Sequence, residues 1–157
     1  MTFTQIKKLT TMKKLACAFV ALVAFTTIAS AQCEKKVLWS APKADFVDEN
    51  GSVQDTKNVN VAIYTSKKSI RITHDDDLTD SLYGAIKEFT CDWKQPFKNG
   101  KSIIKADLQE KNGEYVNSTI TIEATDSKIL ITINMVAPDG RKMIIRVPVE
   151  GYKEGVE

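Results

Sequence analysis

His74 is the only histidine in the chain, and it stands directly before Asp75, Asp76 and Asp77, with Asp80 close behind. A histidine beside a carboxylate can act as a general base. A Ser-His-Asp site would take Asp75, Asp76 or Asp77 as the partner and a hydroxyl such as Ser81 or Ser102 as the nucleophile. No Gly-x-Ser-x-Gly elbow accompanies them, so a solvated loop histidine is preferred and a small hydrolase using His74 is kept as an alternative. The same aspartates, Asp75, Asp76, Asp77 and Asp80, form the densest acidic cluster, and hard oxygen donors on a loop suit Ca²⁺. Their spacing departs from the EF-hand loop, which also needs a glycine and a terminal glutamate. A water-facing loop is therefore preferred to a calcium site. One histidine and two distant cysteines do not make a zinc site of the usual spacing. No Gly-rich phosphate loop or dinucleotide fingerprint is present, and no catalytic residue or cofactor is expected.

The cysteines point to oxidation rather than catalysis. Cys17 falls in a segment with every part of a secretory leader: the basic start Met12-Lys13-Lys14, the apolar run from Leu15 to Phe25, and Ala29-Ser30-Ala31 as a small-x-small cleavage site. Residues 1–31 are thus expected to be an N-terminal extension plus a removed signal peptide, with Met1 or Met12 as the start. The apolar run is too short for a permanent membrane anchor. Export leaves Cys33 and Cys91 in an oxidising compartment, periplasmic or extracellular, where a Cys33–Cys91 bridge is preferred. Lipidation of Cys33 is the rival, and Gln32 before it is larger than that processing favours. Asp92 beside Cys91 would raise the thiol's pKa, which argues against a nucleophile there.

The whole sequence has 157 residues, with 22 Lys and Arg against 20 Asp and Glu. Removing the leader takes Lys7, Lys8, Lys13 and Lys14 and no acid, leaving 18 against 20, or −2. A chain so close to neutral has no basic face to drive nucleic-acid binding. A length of this order suits one domain with one core, expected over 32–150.

The elements that must position these residues are strands. Val116, Ser118, Ile120, Ile122 and Ala124 alternate with polar neighbours, as do Ile129, Ile131, Ile133 and Met135, then Met143, Ile145 and Val147. A period of two puts each set on one face of a strand. Asp126-Ser127 and Pro138-Asp139-Gly140 are the turns between them. Upstream, Val37 and Trp39 share a face, Val59, Val61 and Ile63 make another strand, and Ile70 and Ile72 the next. The run from His74 to Asp80 is read as loop. Gly84 to Trp93 is read as strand, with Ala85, Phe89, Cys91 and Trp93 on one parity and Lys87 interrupting. Asn50-Gly51, Asn99-Gly100 and Asn112-Gly113 are read as hairpin turns. Residues 151–157 are expected to fray. The fold class is all-β, an antiparallel meander of about eight to ten short strands, with an up-and-down, lipocalin-like barrel favoured over a two-sheet sandwich.

Thr90-Cys91-Asp92-Trp93-Lys94-Gln95-Pro96-Phe97, then Asn99-Gly100-Lys101, then Ser118-Thr119-Ile120-Thr121-Ile122-Glu123, resemble small exported all-β proteins of Bacteroidota-type bacteria. The resemblance implies export and an all-β fold, and it brings no functional residue with it. Trp39, Phe46, Tyr64, Tyr83, Phe89, Trp93, Phe97 and Tyr115 would serve equally as core or as the wall of a ligand site, and core is the default. The expected function is an exported, non-catalytic β-domain that binds a small hydrophobic molecule or a partner. The alternative is an envelope-associated interaction module without a cavity. Intact mass of the protein from its export compartment tests the leader and the cysteines together. The expected mass starts at Gln32, carries no lipid and is two hydrogens short of the reduced chain; retention of residues 1–31 would overturn the leader.

Overall fold

The alternating runs form the strands they predict. The computed structural model describes Cys33 and residues 35–156, so the leader expected over 1–31 lies outside the described residues. The strands are β1 (Val37–Ala41), β2 (Ala44–Val47), β3 (Val53–Lys57), β4 (Val61–Thr65), β5 (Ser69–His74), β6 (Asp77–Gln95), β7 (Asn99–Gln109), β8 (Tyr115–Thr125), β9 (Lys128–Val136), β10 (Lys142–Val149) and β11 (Gly151–Glu154). They build one antiparallel sheet of eleven strands in the order β11-β1-β4-β5-β6-β7-β8-β9-β10-β2-β3. Among the described residues there is no helix.

As an order of strands this sheet is open, ending at β11 and β3, and is not the closed ring of an up-and-down barrel. The physical reason is that the first and last runs are both broken. Pro42 separates β1 from β2 and Glu150 separates β10 from β11, so each run is divided between two neighbours. The two broken runs nevertheless keep one register. Val37 faces Glu154 and Ser40 faces Gly151, while Asp45 faces Arg146 and Val47 faces Ile144. Across the break the Glu150 amide donates to the Ser40 carbonyl at 2.9 Å. The sheet therefore rolls until its two broken runs lie side by side.

The inner face of the roll is the core. Ile63, Ile70, Ile104, Leu108, Ile120 and Ile131 are fully buried there, with Ile63, Ile120 and Ile131 on the parities read from the sequence. Every buried side-chain nitrogen and oxygen among the described residues has a hydrogen-bond partner, as burial of polar groups requires.

Four expectations change. The run after His74 is not a loop: β5 and β6 meet through Asp75 and Asp76 alone, with φ of 48° and 58°. A two-residue hairpin of this kind needs positive φ at both positions, which aspartate tolerates. Asn99-Gly100 is not a turn but the start of β7, and Pro96-Phe97-Lys98 turns the chain. Gly100 is required for contact instead, since a Cβ there would lie 2.6 Å from the Trp93 Cα. Lys87 is a bulge: Ile86 faces Ala106 and Glu88 faces Lys105, so the parity changes. Before it Gly84 is the buried residue and Ala85 is exposed; after it Trp93 is buried. Finally, Gly151–Glu154, expected to fray, is β11 and pairs with β1.

Gly84 tests the closeness of β6 to β7. A Cβ at this position would lie 2.2 Å from the Asp107 carbonyl oxygen, which is backbone and cannot swing aside. Gly84→Ala is expected to destabilise by about 2 kcal/mol, lowering the melting temperature by roughly 4–8 °C. An unchanged melting curve would show that the two strands can separate there at no cost.

Candidate functional site

In an antiparallel meander, successive turns fall at alternate ends of the sheet. The turns at 48–52, 75–76, 110–114 and 137–141 share one end, and those at 66–68, 96–98 and 126–127 share the other. The two ends are built differently.

The second end is filled by aromatic rings. Trp39 and Phe97 pack edge to face with centroids 5.1 Å apart, Trp93 and Phe97 at 5.5 Å, and Phe97 and Tyr152 at 5.0 Å. Phe97 is the hub and is buried although its φ is 52°. A bulky residue in the left-handed region is strained, and the burial of its ring among three others offsets that strain. Both indole N–H groups are satisfied: Trp39 Nε1 donates to Thr65 Oγ1 at 2.9 Å, and Trp93 Nε1 to Ser102 Oγ at 2.8 Å. Two residues before Trp93, Cys91 pairs with Cys33 at disulfide distance, with Cα atoms 6.0 Å apart. This brings the start of the described chain to the C-terminal part of β6.

The first end is open. A cavity of about 810 Å³ enters the roll there. Its wall is apolar: Val61 from β4, Ile72 from β5, Leu82 from β6, Ile133 and Met135 from β9, and Met143, Ile145 and Val147 from β10, with Ala44 and Phe46 from β2. Phe46 is the one aromatic residue of the wall. Tyr64, Tyr83 and Tyr115 are exposed instead, with Arg71 stacked over the Tyr83 ring at 5.5 Å. Polar groups gather at the rim, where Lys57, His74, Asp80, Glu110, Lys111 and Asn112 border the opening. Thr73 also lines the cavity, with its hydroxyl directed to the Ala62 carbonyl at 3.5 Å.

The candidate catalytic residues do not assemble as a triad. His74 Nε2 lies 3.4 Å from Asp80 Oδ2, so the partner is Asp80 rather than Asp75, Asp76 or Asp77. The hairpin explains the change, because Asp75 and Asp76 are the turn and β6 then runs back past His74. Ser81 Oγ donates to the Leu78 carbonyl at 3.0 Å, and Ser102 lies buried against Trp93. Neither hydroxyl is placed on His74. The calcium candidates separate as well. Asp75 Oδ1 accepts from the Asn60 amide at 2.9 Å, Asp77 Oδ1 accepts from the Thr79 amide at 2.8 Å, and Asp80 turns to His74. The Thr79 hydroxyl, then its amide, hold the Asp77 carboxyl below its usual pKa. Among the described residues no three His, Cys, Asp or Glu side chains converge as metal ligands.

The near-neutral total conceals a separation of sign. At the open end Asp48 and Glu49 occupy the first turn, Asp75 and Asp76 the second with Asp77 beside them, Glu110 and Glu114 the third around Lys111, and Asp139 the fourth together with Arg141. At the aromatic end Lys67 and Lys68 occupy one turn and Lys98 the next with Lys94 beside it, while the third holds Asp126 and is followed by Lys128. Alternation revealed the strands, but only the topology shows which turns share an end.

No protein-family model matches the chain, and no curated protein matches it. Among the described residues no helix is long and apolar enough to cross a membrane. The cysteine pair at disulfide distance is compatible with an oxidising compartment.

The aromatic end is open to direct test. Phe97→Ala is expected to cost about 3 kcal/mol, with Trp93→Phe, which removes one buried donor, costing about 1 kcal/mol. Chemical denaturation compares the two; equal and negligible losses would mean that the rings do not hold this end together.

Proposed function

We propose that this chain is an exported, non-catalytic β-domain that holds a small hydrophobic molecule in the open end of its rolled sheet. The observation that carries the reading is the cavity of about 810 Å³ with its apolar wall. Pockets for small molecules fall in the range of roughly 300–1,000 Å³, are mostly apolar and carry a few polar groups. An aliphatic wall of this extent facing water is apolar surface that a hydrophobic molecule would cover favourably. The leader-like segment and the cysteine pair support export, and an oxidised Cys33–Cys91 bridge would add about 4 kcal/mol of loop-closure stabilisation.

A second reading is an envelope-associated interaction module. It draws on β3, which pairs with β2 along one edge and is exposed at every residue. An accessible strand edge can accept a strand from a partner. The hydrolase reading has the His74–Asp80 pair in its favour but lacks a nucleophile on that pair.

The uncharged fluorophore N-phenyl-1-naphthylamine tests the first reading. Its emission is expected to rise and saturate at one molecule per chain. Ile145→Trp, which fills the cavity, is expected to abolish that rise, while Ile144→Trp, on the other face of β10, preserves it. Absence of saturable binding, or equal binding by both variants, would overturn the reading. Survival of binding in His74→Ala would separate it from any chemistry at that histidine.

A further inference from the structure

We propose that the cavity takes a cationic amphiphile, an apolar chain or ring system bearing a protonated amine, seated with its apolar body inside and the amine at the mouth. The inference rests on the binding reading above and gives the ligand a chemical class.

The orientation follows from where polarity lies. Below the rim the wall is aliphatic, with Val61, Ile72, Leu82, Ile133 and Ile145 facing the space. The Thr73 hydroxyl is directed to a backbone carbonyl. A charged group carried down among these side chains would lose its hydration with nothing to replace it. A ligand with one charged group must therefore keep that group at the rim, as long amphipathic side chains do at any apolar boundary.

The sign follows from the four turns around the opening. The site itself is the cavity; the charges only select what suits it. Most of the cations at this end are matched by nearby acids. Lys57 Nζ lies 3.0 Å from Asp55, Lys142 Nζ lies 2.9 Å from Glu49, and Arg141 Nε lies 2.5 Å from Asp139. Two others remain: Lys111, close enough to Asp77 to help hold that carboxyl ionised, and Arg146, which donates to the Gly51 carbonyl of the first turn at 2.9 Å. Against them stand Asp48, Asp75, Asp76, Asp77, Glu110 and Glu114, together with Asp80 beside His74. Hydrogen bonds from backbone amides to Asp48 and Asp75 fix these carboxyl groups in place. Charges of one sign around a low-dielectric cleft concentrate their field at its opening and raise the local concentration of the opposite ion. An ammonium group meets that field favourably. A carboxylate, sulfate or phosphate head meets like charge.

The test compares decylammonium, decanol and decanoate, which share one apolar chain and differ in charge, as competitors of N-phenyl-1-naphthylamine on the full protein at low ionic strength. Decylammonium is expected to displace the fluorophore best and decanoate worst, with about a tenfold spread between them. The spread is expected to shrink in about 0.5 M NaCl. It is also expected to shrink in the Asp80→Asn, Glu110→Gln double variant, whose changes lie on the exposed rim and leave the fold intact. If the fluorophore binds and decanoate competes as well as decylammonium, the charge inference is overturned while the binding reading stands. A fluorophore that does not bind at all overturns both.

Discussion

The register shared by the first and last runs is the constraint on which the structure depends. Backbone N–H and C=O groups must find partners, and a rolled sheet is the arrangement in which β1 finds them on both edges, from β4 on one side and β11 on the other. Glu150 bridges the break in the last run by donating to Ser40, so the ladder passes the interruption without losing step. Slipping this register by one residue would turn Val37 and Trp39 outward together. The inner face of β7, β8 and β9 would then lose the surface it packs against. Core, cavity and aromatic end are consequences of one pairing between segments about a hundred residues apart in the chain.

Side-chain size explains why the two ends of the same roll differ. At the aromatic end, Trp39, Trp93 and Phe97 reach across the interior and touch one another. At the other end the wall is mostly aliphatic, Val61, Ile72, Leu82, Ile133 and Ile145 among it with Phe46 as its one aromatic ring, and side chains of that length leave an open space across the same width. The difference is one of reach. Wall residues packed well against their own sheet leave the centre open, much as larger barrels do when their strands stand too far apart for side chains to fill them.

Local pattern and long-range pattern were not equally legible in the sequence. The inward sets on β8, β9 and β10 and the turn at Asp126-Ser127 could be read directly, because alternation and turn chemistry are properties of neighbouring residues. Asp75 and Asp76 were readable only as a polar run, since two aspartates in a left-handed turn look like loop until the flanking strands are paired. Asn99-Gly100 carries a turn signature but owes its glycine to the approach of Trp93. Lys87 was visible as an interruption, yet nothing local indicates that the parity changes after it. The His74–Asp80 pair, the cavity and the acidic end all depend on which turns fall together. That is decided by pairings across the sheet and not by any short stretch.

Among the described residues the aromatic end closes one end of the roll and leaves the cavity to open at the other. Whatever enters the cavity must displace the water inside through the opening by which it arrives, and must leave by the same route. Entry and release therefore share one barrier, set by the four turns around the rim. Changes to those turns would act on residence time and on the head group that is favoured, while the aliphatic wall sets the apolar part of the well. A partner that loaded or emptied the cavity would have to work at that rim, and the rings beneath would be a floor it never touched.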